Sequence, residues 1–348
     1  MDCPGRERGE RVIAASIVGA TGYTGAVLTR ILAGHPDVEL QALTSTSYVG
    51  RNVGTVFPDL RVRGQYVEYS PQVLEGSDVA FVCYPHAQAH GVVAELVDAG
   101  CRVVDLSADF RLKDLSDYQS WYGFEHPRSD LVEEAVYGLP EVYRAEVTKA
   151  RIVANPGCYP TGMLLGLLPA AGEIDSRGVI VDSKSGVSGA GKTPSDKTHF
   201  CSVTENFRAY SEVGHRHTSE MVQELGLAAG TALPVSFTPH LLPVDRGILS
   251  TMYFKPSGRL LDTEAWLDRY RLFYADEPFV EVCEHVPALS EVTRTNFCRL
   301  TVRTDERSGL VKVFTVIDNL MKGASGQAVQ NMNIMFGTKE GSGLEGLA

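Results

Sequence analysis

The feature that most restricts this chain is a glycine-spaced turn set between an apolar strand and an apolar helix. Val12 to Val18 is a short apolar run, Gly19-Ala20-Thr21-Gly22-Tyr23-Thr24-Gly25 follows at once, and Val27, Leu28, Ile31 and Leu32 then recur with helical spacing. Small residues are needed where a turn is tight, where backbone approaches a pyrophosphate, and where a helix lies close on a strand. The spacing Gly-x-x-Gly-x-x-Gly is a variant of the dinucleotide-binding fingerprint, and its strand-turn-helix setting gives it meaning. Gly19, Thr21, Gly22, Tyr23, Thr24 and Gly25 are the expected contacts to a dinucleotide. A glycine-rich turn with no ligand is the plainer alternative.

The rest of the first half supports that setting. Strand-like runs at Val38 to Leu43, Val79 to Cys83, Arg102 to Leu106 and Ile152 to Ala154 alternate with helical patterns at Ala26 to Ala33 and Ala89 to Ala99. Alternation of this kind implies βαβ units and a doubly wound parallel sheet. From about Val179 the pattern changes. Strand-like runs Val179 to Asp182, Val235 to Thr238, Ile248 to Phe254, Phe297 to Val302 and Val311 to Asp318 dominate, which predicts a second, α+β domain with a mostly antiparallel sheet. The fold class is α/β with two domains, as 348 residues also lead one to expect. Gly323 to Met335 reads as a last helix, from Ala328, Val329, Met332 and Met335, and Glu340 to Ala348 as a frayed tail.

Composition removes several classes of function. A net charge of -11 speaks against a nucleic-acid partner. No apolar run approaches the ~18 residues of a membrane span, and Met1 to Glu10 is polar and unlike a signal peptide, so a cytoplasmic protein is expected. Seven cysteines, Cys3 among them, are scattered without a C-x-x-C pair, which fits reduced thiols and no metal site.

The end of the second strand bears on the choice of cofactor. An NAD site usually places Asp or Glu there, whereas this chain has Thr44-Ser45-Thr46-Ser47 with Arg51 close behind. Hydroxyls and a guanidinium suit a 2′-phosphate, so NADP(H) is expected, with Ser45 and Arg51 among its contacts. A solvated loop charge is the bland reading of Arg51.

Asn155-Pro156-Gly157-Cys158-Tyr159-Pro160-Thr161-Gly162 follows a strand and precedes the apolar helix Met163 to Leu168. Cys158 then falls at a helix N-terminus, where the macrodipole favours thiolate, and it is the expected nucleophile. The run Gly214-His215-Arg216-His217-Thr218-Ser219-Glu220 supplies two imidazoles as candidate acid/base groups. Ser183 to Lys192 resembles a phosphate cradle but lacks the Walker spacing; within it Ser185 is a candidate for substrate and Gly189 for cofactor. Asp105-Leu106-Ser107-Ala108-Asp109-Phe110-Arg111 offers Arg111 as an anion clamp, with a surface Asp109 to Arg111 pair as the alternative.

Taken together, Gly19 to Gly25, LSADFRL (Leu106 to Leu112), YGLPE (Tyr137 to Glu141), NPGCYPTG (Asn155 to Gly162), Ser185 to Gly191, HRHTSE (His215 to Glu220), RGIL (Arg246 to Leu249) and Asp318 to Asn331 resemble the N-acetyl-γ-glutamyl-phosphate reductase family of arginine biosynthesis. The resemblance runs in order over nearly the whole chain. It implies a Rossmann domain of residues 1–157 and 324–348, the C-terminal helix completing it, and a catalytic and oligomerisation domain of residues 158–323 as in semialdehyde dehydrogenases. It implies Cys158 as nucleophile, His215 as acid/base, Arg111 on the substrate phosphate, His217 as a substrate contact, and Asn319 near the nicotinamide. A small-molecule substrate and a homo-oligomer, dimer or tetramer, are expected with it. Ser219 departs from the family's usual proline after HRHT. The rivals are an aspartate-semialdehyde dehydrogenase, a reductase of a carrier-bound aminoadipyl or glutamyl phosphate, an NADP-sensing binding protein and a cysteine hydrolase. YGLPE with HRHT disfavours the first. The charge of -11 disfavours the second, which would need a basic docking face.

Overall fold

A computed structural model describes residues 12–345; Met1 to Glu10, Cys3 and the last three residues of the expected frayed tail lie outside them. The first sheet holds β1 (Ile13–Val18), β2 (Val38–Leu43), β3 (Val79–Val82), β4 (Arg102–Asp105), β5 (Val136–Tyr137) and β6 (Ile152–Ala154) in the order β2-β1-β3-β4-β6-β5. Every neighbouring pair is parallel. Strands such as β3, buried at all four positions, are apolar throughout because helices cover both faces. One face carries α1 (Tyr23–Ala33), whose Leu28, Ile31 and Leu32 are buried; the other carries α2 (His90–Asp98). After β2 the chain returns past β1 to form β3, so the crevice beyond the carboxyl ends of β1 and β3 is a topological switch point, where open α/β sheets bind ligands.

The second sheet holds β7 (Ile174–Gly186), β8 (Arg208–Ala209), β9 (Val235–Leu242), β10 (Ile248–Pro256), β11 (Val280–Val282), β12 (Cys298–Asp305) and β13 (Leu310–Ile317), ordered β11-β12-β13-β10-β7-β9-β8. It is mixed, because β7 with β9 and β11 with β12 pair in parallel, while the other four pairings are antiparallel. Helix α3 (Pro140–Lys149) precedes β6 of the first sheet, and three helices join the second half: α4 (Cys158–Leu167), α5 (His217–Ala229) and α6 (Thr263–Phe273). In α4 every residue after Cys158 is buried, which is why its sequence is apolar on all sides rather than striped.

The last helix, α7 (Gly326–Phe336), returns to the first sheet. Ala328, Val329, Met332 and Met335 share a core with Leu28, Ile31 and Leu32 of α1. Gln327 Nε2 and Asn331 Nδ2 each donate to the Gly138 carbonyl at 2.8 Å, and Ser325 Oγ donates to the Thr24 carbonyl at 2.9 Å. Just before it, the Lys322 ammonium is fully buried against Glu141 at 2.6 Å and Gln330 at 2.8 Å. The tail is not frayed as far as Glu345: Leu344 is buried, and Asn333 Nδ2 holds the carbonyls of Glu340 and Ser342, both at 2.9 Å.

Candidate active site

The dinucleotide loop has the backbone its glycines allow. Gly19 adopts φ +81°, and a Cβ on Gly25 would lie 2.6 Å from the Ala20 Cα and the Gly19 carbonyl, so α1 sits against the turn only without a side chain there. Gly22 caps α1, and the first amides of the helix lack intrahelical acceptors and face the crevice side of the sheet. The hydroxyls at the end of β2 serve differently from the sequence reading. Thr44 Oγ1 accepts from the Gly19 amide at 3.2 Å; Ser45 Oγ bonds Thr21 Oγ1 at 3.0 Å and accepts from the Ser47 and Tyr48 amides at 3.2 Å. Buried Ser45 is thus a brace for the loop rather than a free ligand, because its bonding capacity is already used. Arg51 stands exposed, its side chain without a polar partner among the described residues. Lys192, which the sequence reading passed over as a phosphate contact, lies over the loop: its ammonium donates to the Thr21 carbonyl at 3.2 Å and sits 4.5 Å from the Phe57 ring centroid and 5.2 Å from that of Tyr48.

Cys158 is the first residue of α4, as the Gly/Pro turn predicted. Around it four distant segments meet on one carboxylate. Glu220, fully buried on the first turn of α5, accepts from the Gly157 amide at 2.9 Å, the Tyr137 hydroxyl at 3.1 Å and Arg111 Nη1 at 3.0 Å. Arg111 Nη2 holds the Leu106 carbonyl at 3.0 Å, while its Nε is buried without a partner in the protein. The guanidinium is therefore not a free fork but one half of a buried ion pair, with Nε the one nitrogen that has no protein partner. Asp109 turns the other way and accepts from the amides of Ala87, Ala89 and His90, so the surface Asp109 to Arg111 pair does not form.

The two histidines touch edge to face, ring centroids 5.0 Å apart, and the His217 amide donates to His215 Nδ1 at 3.2 Å, but only His217 lines the cavity that holds Cys158. A Cβ on Gly157 would lie 2.8 Å from His217 Nε2, so the ring of His217 lies against the residue before the thiol; Gly157 must be glycine for that approach. His217 and Cys158 line one cavity of about 370 Å³ with Arg111, Asn155, Ser188, Gly189, Lys192, Asn319 and the dinucleotide loop. His215 does not line it. It lies beyond, edge-on to Tyr159, Tyr210 and Phe237, in two adjoining cavities of about 290 and 580 Å³. Asn319 is fixed rather than free: it accepts from the Gly247 amide at 2.8 Å and donates to Ser188 Oγ at 3.0 Å. Ser185 Oγ donates to the Gly186 carbonyl at 3.0 Å and faces the largest cavity.

The electrostatics depart from the simple helix-dipole expectation. Burial pushes the Cys158 thiol up to about 11, against the downward pull of Arg111 and the amides at the start of α4. Burial and Arg216 press His215 down to about 4, and burial with the neighbouring cations holds His217 well below its usual range. Both shifts favour the uncharged forms, a thiol at Cys158 and a neutral imidazole at His217, which line the same cavity. Glu220 was legible in principle: it follows His217 by three residues, which on a helix places both on one face. Nothing local marked Arg111 or Tyr137 as its partners.

Comparison with known proteins finds relatives over nearly the whole chain. Residues 14–150 match the family described as semialdehyde dehydrogenase, NAD binding domain, and residues 158–319 match semialdehyde dehydrogenase, dimerisation domain. The N-acetyl-gamma-glutamyl-phosphate reductase of Pelotomaculum thermopropionicum is 50% identical over 96% of this chain and 98% of its own length. That of Symbiobacterium thermophilum is 48% identical over 95% and 97%. Among solved structures, aspartate semialdehyde dehydrogenase II of Vibrio cholerae, complexed with ASA, shares the fold with a TM-score of 0.72 at 20% identity, covering 94% of this chain and 98% of that one. The Candida albicans aspartate semialdehyde dehydrogenase with NADP has a TM-score of 0.69 at 16% identity, covering 93% and 98%.

Proposed function

Since the chain belongs to the N-acetyl-γ-glutamyl-phosphate reductase family, we propose that Cys158 and His217 carry the reduction of N-acetyl-γ-glutamyl phosphate to its semialdehyde at the cavity they share. It is an oxidoreductase of arginine biosynthesis that uses a nicotinamide dinucleotide. The observation that carries the site assignment is the convergence of thiol, imidazole, buried guanidinium and dinucleotide loop on one cavity. As the Cys158 sulfur attacks the γ-carbonyl carbon, His217 takes the thiol proton, the C–S bond forms, the C–O bond to phosphate breaks, and the proton leaves with the phosphate. Arg111, which lines the cavity and whose Nε has no protein partner, supplies positive charge for the departing oxygens. Held by the Gly19 to Gly25 loop, a nicotinamide dinucleotide would supply the hydride that the thioester carbon needs. A solvent proton, taken up by His217 once phosphate has left, passes to the sulfur as the C–S bond breaks and the aldehyde is released.

This exchanges the roles that the resemblance implied for the two histidines, and the position of the His217 ring against Gly157 supports the exchange. His215 then contacts substrate, together with Ser185. Preference for NADP(H) rests on Lys192 and Arg51 and on the lack of a carboxylate among the residues lining the cavity. The residues fit a dinucleotide: the open amides of α1 and the tight Gly25 contact leave room for a pyrophosphate. The division into residues 1–157 with 324–348 and residues 158–323 is supported by the seat of α7 on α1. The deciding assay is NADP-dependent oxidation of N-acetylglutamate semialdehyde with phosphate, run beside aspartate semialdehyde. Cys158→Ser should lower kcat by more than about 10³-fold with NADPH binding intact. A serine variant within tenfold of wild type would rule out the thioester.

A further inference from the structure

The three cavities at the site share walls, since the smallest has Arg111 and His217 in common with the first and Tyr159, Tyr210, His215 and Arg216 in common with the largest. Along them lie five cations, Lys192, Arg111, Arg216, Arg208 and Lys197, and no Asp or Glu is among the lining residues. In a chain of net charge -11 such a run is a built anion path. Lys192 stands at the dinucleotide loop and Arg111 beside the thiol, so two of the five are placed for cofactor and acyl phosphate. The other three surround the far cavity of about 580 Å³, on the other side of the Tyr159 to Tyr210 hydroxyl contact of 2.8 Å.

Arg216 is committed to the His86 ring, 2.9 Å from its Nδ1. Arg208 is half-buried on β8, its Nη2 donating to the Lys197 carbonyl at 2.7 Å, which fixes the stem and leaves Nε and Nη1 without partners among the described residues. A planar guanidinium held on one corner presents its remaining donors as a carboxylate site. The substrate has one further anionic group, the α-carboxylate, four bonds from the reacting carbon and about 5 Å away when extended.

We propose that Arg208, with Lys197, holds the α-carboxylate of the substrate and so selects a free N-acylated amino acid over one whose α-carboxyl is esterified or amide-linked. The proposal rests on the function assigned above, and its test is kept separate from turnover. N-acetylnorvaline, which has the same five-carbon chain without a reactive carbonyl, and its methyl ester are titrated calorimetrically into wild type, Arg208→Gln and Lys197→Gln. The acid should bind wild type at least about tenfold more tightly than the ester. Arg208→Gln should erase that difference without altering ester affinity, and the exposed Lys197→Gln should reduce it. Equal binding of acid and ester by wild type, no detectable binding of the acid, or an equal loss of both ligands in Arg208→Gln overturns the proposal. Oxidation of N-acetylglutamate semialdehyde is measured beside it: failure there removes the assigned function, while the probe comparison still decides the subsite.

Discussion

The dinucleotide loop and the thiol site are built from different materials. The loop is made of backbone: a positive-φ glycine, helix amides, and hydroxyl braces from Thr44 and Ser45, all within one βαβ unit. The thiol site is made of side chains brought from afar, since Glu220 reaches Gly157 across 63 positions, Tyr137 across 83 and Arg111 across 109. Backbone sites give up little when one side chain changes. Side-chain sites, closed by a buried charge, lose much.

The sharpest challenge to that contrast is the histidine pair. His217→Asn should lower kcat by ~10²- to 10⁴-fold with little change in KM, and His215→Asn should chiefly raise KM, both read from steady-state kinetics with the semialdehyde. The reverse pattern would restore His215 as the acid/base.

Next in size is the carboxylate that joins the segments. Glu220→Gln leaves the Arg111 charge buried without its counter-ion, which typically costs about 3 to 5 kcal/mol. Urea unfolding should show that loss, while a variant within 1 kcal/mol of wild type would mean that Arg111 finds other compensation.

The thiol itself gives a test by pH. A group whose pKa is raised to about 11 remains protonated through neutrality, so only the small thiolate fraction reacts with an alkylating agent. Alkylation of Cys158 by iodoacetamide, followed by peptide mass spectrometry, should quicken roughly 100-fold between pH 7 and pH 9, tenfold for each unit below the pKa. A rate that levels off near pH 7 would mean that the helix terminus and Arg111 outweigh burial.

The smallest effect belongs to the backbone-built side. Lys192→Gln should weaken NADPH binding by about tenfold or less and NADH binding much less, measured by fluorescence titration, with Arg51→Ala smaller still. A loss above about a hundredfold would show that the loop depends on that one side chain after all.

The same contrast explains what could be read from the sequence. Contiguous features were legible: the glycine turn, the helix that Cys158 begins, and the strands of the first sheet to within a residue or so. β5, β8 and β11, of two or three residues, are too short to show a period. The parallel pairings that make the second sheet mixed arise from crossovers, which strand-like runs do not encode. Ser45 and Arg111 stand out in the sequence as polar residues in loop motifs. Their partners, Thr21 and Glu220, decide what their donors can still do, and partners lie in the tertiary fold. The tail read as frayed because Leu344 gives no pattern; it finds its pocket only against the α7 region.

The return of α7 to the first sheet also bears on how the protein is made. Chains are synthesised from the N-terminus at roughly 5 to 20 residues per second, and domains usually close as they emerge. Here the helix that shares a core with α1 and ties down the Thr24 carbonyl is translated only after the entire second sheet. The cofactor half must therefore wait, with the face that carries α1 only partly covered, until the second sheet has been synthesised. Its sheet is translated before the second sheet, and its core is completed after it.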